Sequence, residues 1–285
     1  MTEDNHKLIF SIKLKDSEFS QLSKLIYEEY GIKMPPAKKI MLQSRLQKRL
    51  RALNMQSFGD YCEYLFSKEG LQSEVIHMID VVSTNKTDFF REPVHFDFLN
   101  QVVLPFYASK YTAQKTINIW SAGSSSGEEA YSIAITMEEF IENYKNFNYH
   151  IQGTDISTIV LEKAMTAIYP EDKTQVIPLS VKRKYFLRSK DKEKVRVRIA
   201  KEVRKKVSFS RLNLMDNSYN MPTNYNIIFC RNTLIYFDRS VQEKVINRLC
   251  RHLESGGFFF IGHSESLTGF DVPLKQIKPT IFQKI

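Results

Sequence analysis

The chain has no run of about 18 consecutive apolar residues, which excludes a membrane-spanning helix. Cysteine is scarce: Cys62, Cys230 and Cys250 are unevenly spaced and form no CxxC, so neither a disulfide framework nor a cysteine zinc site is indicated. The six histidines stand apart, with no pair at helical ligand spacing, and no metal is expected. Glycine is sparse where a dinucleotide loop needs it. No Gly-x-Gly-x-x-Gly occurs, which disfavours hydride chemistry, and no Gly-Lys-Ser/Thr follows a glycine loop, which excludes a P-loop. The first residues, Met1-Thr-Glu-Asp-Asn-His-Lys, are polar and acidic where a signal peptide is basic and then apolar, so a cytoplasmic setting is expected.

What is present is an ordinary globular composition, 42% hydrophobic and 26% charged, over 285 residues, enough for one large or two modest domains. The net charge of +9 calls for an acidic partner. The positive charge is concentrated in two places. From Tyr30 to Gly59 there is no Asp or Glu, while Lys33, Lys38, Lys39, Arg45, Lys48, Arg49 and Arg51 are basic, which marks a docking face. Between Val181 and Arg211 fourteen Lys or Arg face three acids, Asp191, Glu193 and Glu202, and Val195-Arg-Val-Arg-Ile alternates like a strand. That stretch reads as a small basic β-insertion.

Residues 1–80 carry helical stripes: Phe19, Leu22, Leu25 and Ile26; then Ile40, Leu42, Leu46, Leu50 and Leu53; then Tyr61, Tyr64, Leu65, Val75, Ile76 and Ile79. Gly31 and Pro35-Pro36 separate the first two, so an all-α domain is expected here, with residues 81–95 as a linker. From 96 to 285 strands and helices alternate. Strands are expected at Thr116–Trp120, His150–Thr154, Asn226–Cys230, Gly257–Gly262 and Thr280–Ile285, and helices at Glu128–Tyr144, Ser157–Ala167 and Ser240–Leu253. Such alternation predicts an α/β fold with a parallel sheet covered on both faces.

In an open α/β sheet the ligand lies beyond the carboxyl ends of the strands. After the first strand comes the small-residue loop Ser121–Gly127, where a ligand can approach backbone amides. Ser126 is placed as N-cap of the next helix, with Glu129 completing a capping box. After the second strand comes Asp155, able to accept both hydroxyls of a ribose or to cap the following helix. After Asn226–Cys230 come Arg231, Asn232 and Tyr236. A nucleoside cofactor without a pyrophosphate remains, and S-adenosylmethionine fits.

Taken together, Ser83-Thr-Asn-Lys-Thr-Asp-Phe-Phe-Arg-Glu-Pro-Val-His-Phe, Trp120-Ser-Ala-Gly-Ser-Ser-Ser-Gly-Glu-Glu-Ala-Tyr-Ser, Gly153-Thr-Asp-Ile-Ser, Leu212-Asn-Leu, Phe229-Cys-Arg-Asn-Thr-Leu-Ile-Tyr-Phe-Asp and Gly262-His-Ser-Glu-Ser-Leu closely resemble the CheR family, the chemotaxis receptor glutamate O-methyltransferases. The resemblance runs in order along nearly the whole chain. It implies a Rossmann-like class I S-adenosylmethionine-dependent methyltransferase sheet with a small N-terminal all-α domain and a β-insertion. It also implies methyl transfer to glutamates of a chemoreceptor's cytoplasmic helices, by a monomer, with no nucleic-acid partner and no membrane insertion.

Carried over by position, Asn85, Thr87 and Arg91 are the linker's part of the cofactor site, and Glu129 is the partner of the methionine ammonium. Asp155 holds the ribose, Asn213 and Leu214 flank the adenine, and Arg231 with Asn232 completes the pocket. Arg91 is also expected to orient the accepting carboxylate, and Tyr236 to donate a hydrogen bond near the reacting centre. Two departures stand out. Ala130 replaces a common Pro, and Arg188-Ser-Lys-Asp-Lys-Glu-Lys-Val lacks the glycine of members that grip a receptor tail, so docking without such a tail is expected. The rival readings are a nucleic-acid methyltransferase, which would want an Asn/Asp-Pro-Pro-Tyr/Phe motif where Cys230-Arg-Asn-Thr stands, and a non-catalytic scaffold, against which Asn85, Arg91, Asp155 and Tyr236 argue.

Overall fold

The computed structural model describes residues 12–111, 115–144, 147–191 and 193–285. The polar start of the chain and Lys192 of the basic stretch lie outside the described residues. Two compact units emerge. The first takes the described residues up to Thr84 together with Ile156–Thr158 and Tyr236–Asp238, and the second takes the remainder.

The first unit is helical. Helix α1 (Asp16–Tyr30) ends where Gly31, at φ +67°, donates to the Tyr27 carbonyl at 2.8 Å. Helices α2 (Lys39–Ala52), α3 (Phe58–Leu65) and α4 (Lys68–Val82) follow, with Ser57 and Ser67 capping α3 and α4 through their hydroxyls. Leu22, Ile26, Leu42, Leu46, Leu50, Tyr61, Leu65, Met78 and Ile79 fill its core. Ile40, expected on the buried stripe, is 80% exposed, because two residues before Leu42 it lies about 200° around α2 from that residue, away from the buried face of Leu42, Leu46 and Leu50.

The expected basic docking face needs correction at two arginines. Arg49 grips Glu74, a residue only 2% exposed, through Nε at 2.8 Å and a terminal nitrogen at 2.7 Å, and Tyr61 donates to the same carboxylate. Arg45 donates to the carbonyls of Val82 and Ser83 and to the Thr84 hydroxyl. Both guanidiniums hold this unit together. Lys33 and Lys48 remain exposed.

The second unit opens with α5 (Val94–Phe98), a π-helical turn at Leu99–Val103 and α6 (Leu104–Lys110). Next come β1 (Lys115–Ala122), α7 (Glu128–Ile141), β2 (Phe147–Asp155) and α8 (Thr158–Thr166). A small antiparallel sheet has β5 (Arg196–Ile199) between β3 (Ile168–Pro170) and β4 (Phe186–Arg188), with α9 (Leu179–Tyr185) between β3 and β4 and α10 (Lys201–Arg204) after β5. The chain continues through β6 (Val207–Arg211), β7 (Tyr225–Cys230), α11 (Arg239–His252), β8 (Leu253–Ile261), β9 (Leu274–Lys278) and β10 (Ile281–Lys284).

The main sheet runs in the order β6-β2-β1-β7-β8-β10-β9. The pairs from β6 to β8 are parallel, as expected, and β10, antiparallel to both β8 and β9, extends the sheet at one edge. Every residue of β7 is buried, as a central strand covered on both faces requires. Between Val181 and Arg211 the structure divides the expected insertion. The small sheet recruits β3 from before that stretch, and β6 leaves it to pair with β2. The signal for β6 was weak because Val207-Ser-Phe-Ser-Arg is short, half polar and preceded by Lys-Lys.

Strand order reverses between β1 and β7. The chain first builds outward through β2 and β6, then returns to the other side of β1 for β7 and β8. Their carboxyl ends open a crevice there, the usual ligand position in such sheets.

Candidate functional site: the crevice between β1 and β7

The loop leaving β1 is a tight backbone structure. Gly123, at φ +80°, and Ser124 both donate to the Thr154 carbonyl, at 2.8 and 2.9 Å. A Cβ at Gly123 would lie 2.2 Å from Thr233 Oγ1, so only glycine lets the loop pass that residue. Ser125, at φ +49°, donates its N–H to Asp155 Oδ2 at 2.8 Å and its hydroxyl to the Asn85 carbonyl at 2.9 Å. Gly127, at φ +93°, donates to the Ser124 carbonyl at 3.0 Å. The expectation that a ligand lies on these amides is therefore corrected: those of Gly123, Ser124, Ser125 and Gly127 are engaged within the protein.

The capping box is corrected as well. The residue preceding α7 is Gly127, with no side-chain cap, and the Ser126 hydroxyl donates to Glu128 at 2.7 Å. Glu129 is thereby free of a backbone role. Its side chain, 13% exposed, accepts from the Ser121 hydroxyl at 2.7 Å and from Arg231 at 3.1 Å. Burial pushes the Glu129 carboxyl above its ordinary value, against the opposing pull of Arg231 and Ser121.

Arg231 follows β7 and its side chain is only 1% exposed. It reaches Glu129 on one side and, on the other, the Glu92 carboxylate at 2.9 Å and the carbonyl of Arg91. Asn232, at φ +57°, donates its side-chain amide to Glu92 at 3.2 Å. Glu92 had no assigned role in the sequence, yet it joins Arg231, Asn232 and the N–H of His263. Burial pushes its carboxyl up, but the bond and charge of Arg231, with the bonds from Asn232 and His263, bring it below the usual range.

Glu265 was also missed as a site residue. Its half-buried carboxylate accepts four backbone N–H groups, from Asn232, Leu234, Ile235 and Gly262, and fixes the turn that presents Arg231 and Asn232. Neither glutamate had a signal beyond its place in a motif, because each acts through backbone or through another side chain.

The remaining expected residues divide as follows. Asp155, 8% exposed, receives Ser125, and its carbonyl accepts the N–H of Leu212 at 3.0 Å, which brings Asn213 and Leu214 to the same edge. Asn213 accepts from Met215 N–H at 3.0 Å, and Leu214 is buried. Asn85 joins through its carbonyl. Arg91 donates to the Lys86 carbonyl at 3.1 Å, and Thr87 offers its carbonyl to Lys173. Tyr236 groups with the helical unit, where its hydroxyl lies 3.5 Å from the Thr84 carbonyl. At the start of α8, Asp80 receives both the N–H and the hydroxyl of Thr158 at 2.7 Å.

The loop also spells Gly-x-Ser-x-Gly, with Ser125 in the middle at positive φ, as a hydrolase elbow would have it. Its hydroxyl donates to the Asn85 carbonyl and not to a histidine base, so the arrangement does not activate it.

The crevice fits a sulfonium nucleoside carrying an amino-acid tail. Glu129 could offer a desolvated carboxylate to an ammonium and Asp155 one to a diol, and Ser124 Oγ is buried with no hydrogen-bond partner among the described residues, a group that a ligand can satisfy. Residues 85–282 match the family described as CheR methyltransferase, SAM binding domain, and residues 17–83 match CheR methyltransferase, all-alpha domain. The fold, the crevice and these matches define an S-adenosylmethionine-dependent methyltransferase of the class I type.

Its relatives narrow the class. A chemotaxis protein methyltransferase of Borreliella burgdorferi is 38% identical across the whole of both chains. Those of Salmonella typhimurium and Klebsiella aerogenes are 35% and 36% identical, each covering 90% of this chain and 86% of the relative. The chain belongs to the CheR methyltransferase family.

Proposed function

We propose that the protein methylates glutamate side chains on the cytoplasmic helices of a chemoreceptor, forming methyl esters that adjust signalling. The observation that carries this reading is the buried pair of Glu129 and Arg231 across the strand-order reversal, set in a chain whose relatives at 35–38% identity are chemotaxis protein methyltransferases. Bound S-adenosylmethionine supplies a methyl group already activated for displacement on its sulfonium.

The residues of this chain then have to bind, exclude water and align. In this reading Asn85, Thr87, Arg91, Glu129, Asp155, Asn213, Leu214, Arg231 and Asn232 form the cofactor seat. A glutamate substrate is ionised at pH 7 and needs no strong base. In-line placement of the accepting oxygen supplies much of the rate, because a held near-attack geometry removes the entropy of encounter. Arg91 steers that carboxylate, and Tyr236 donates a hydrogen bond near the reacting centre.

Each ester removes one negative charge from the receptor helices and relaxes their repulsion. Docking relies on exposed lysines such as Lys33 and Lys48, by a cytoplasmic monomer and without a receptor tail. Among the described residues no helix is long and apolar enough to cross a membrane.

The test is incubation with methyl-labelled S-adenosylmethionine and a receptor cytoplasmic fragment. Base-labile label on receptor glutamates supports the reading, and label appearing only on nucleic acid overturns it.

A further inference from the structure

The histidines that stand apart in sequence do not all stand apart in space. His95, fully buried on α5, has its ring centroid 5.2 Å from that of His263. His95 Nε2 lies 2.7 Å from the Thr280 hydroxyl, and that hydroxyl donates its own proton to the Pro279 carbonyl. When that hydroxyl donates to Pro279 it accepts from the ring, and in that tautomer His95 carries its proton on Nε2 and a lone pair on Nδ1.

That Nδ1 has no hydrogen-bond partner among the described residues. It faces Glu92 Oε2 at 3.5 Å, and His263 Nε2 lies 3.9 Å from the same oxygen. A ring nitrogen of a fully buried imidazole thus stands beside a carboxylate oxygen at a spacing too long for a hydrogen bond.

We propose that Glu92, His95 and His263 form a binding site for one divalent ion of the zinc class, with Glu92 Oε2, His95 Nδ1 and His263 Nε2 as its ligands. The three side chains bring donor atoms that all lie within 4.8 Å of one another. Adjacent ligands of a tetrahedral site with bonds of about 2.1 Å stand about 3.4 Å apart. The Glu92 to His95 spacing already meets that, and His263, 51% exposed, has the freedom to close the rest.

Two imidazoles and one carboxylate select zinc, cobalt, nickel or copper over calcium and magnesium. The supporting bonds are in place. The other ring nitrogen of His95 is hydrogen-bonded with the Thr280 hydroxyl, and Glu92 is steadied by Asn232, the His263 N–H and Arg231, as ligands of a built site are. Arg231 on the same oxygen offsets part of the attraction, so a dissociation constant of roughly micromolar order is expected.

The test uses the full-length chain, stripped with chelator and titrated with Zn²⁺ by calorimetry. One equivalent per chain and a higher Tm with the ion are expected, because the ion binds the folded state alone. His263→Ala, at a half-exposed position compatible with folding, is expected to lower affinity at least tenfold, and His77→Ala on the helical unit to leave it unchanged. Absence of binding to the native chain, or equal binding by His263→Ala, overturns the proposal.

Discussion

The guanidinium of Arg231 donates to Glu129 across 3.1 Å at the place where strand order reverses, and its side chain is 1% exposed. A second nitrogen of the same group holds Glu92 at 2.9 Å. Removing it leaves two carboxylates in a dry crevice with no cation. Arg231→Ala is expected to cost about 3–5 kcal/mol, the usual penalty for breaking a buried pair from one side. Urea unfolding of the two proteins, compared at equal slope, reads it.

The proposed cofactor seat is expected to be sensitive to acid through Glu129. Burial raises its pKa, so the carboxylate proposed to meet the ammonium takes up a proton at a higher pH than an ordinary glutamate does. Affinity for S-adenosylhomocysteine is expected to fall as pH drops toward that raised value and to be constant above it. Calorimetric titrations over a pH series check the sign, and Glu129→Gln should flatten the profile.

Gly123 is fixed by both conformation and space. Gly123→Ala combines an L-residue at φ +80° with a Cβ 2.2 Å from Thr233 Oγ1, and should cost about 1–3 kcal/mol while displacing Ser124 and Ser125. A lowered Tm together with weaker cofactor binding is the expected outcome.

Charge reversal on α2 separates structure from docking. Arg49→Glu faces the buried Glu74 with a like charge and should destabilise the protein by about 3–5 kcal/mol. Lys48→Glu, at an exposed position, should change stability by less than about 0.5 kcal/mol and lower the rate on a receptor fragment in a salt-dependent way. Thermal unfolding and initial rates at two ionic strengths distinguish the two.

The buried thiols are expected to be silent. Burial raises Cys62 to about 11 and Cys250 to about 12, and Cys230 is raised well above the usual value. The unfolded chain releases these protons first, so stability is expected to fall as pH rises from about 9 through 11. A thiol reagent at pH 8 should label none of the three until the chain unfolds.

Much of this was legible in the sequence because it rests on local pattern. The strand that ends at the loop, the helix from Glu128, and Asp155, Arg231 and Asn232 past their strands all follow from periodicity and from where ligands lie in α/β sheets. The Glu129 to Arg231 pair was within reach as two separate residues, but not as a bond. What the sequence hid depends on tertiary partners. Arg45 and Arg49 look like surface charge until Glu74 and the Val82 and Ser83 carbonyls are placed against them. Glu92 and Glu265 act by holding backbone and side chains distant in the chain, and His95 meets His263 only in the fold. β6 was lost because the alternation of Val207-Ser-Phe-Ser-Arg runs for only five residues and merges with the basic stretch beside it.

In the proposed function Glu129, held by Arg231, seats the cofactor. Calorimetric titration of S-adenosylhomocysteine into the native protein and into Glu129→Gln measures that role. One site per chain and a loss of at least tenfold in affinity for the variant at unchanged fold are expected, and equal affinity of the two proteins would refute the role.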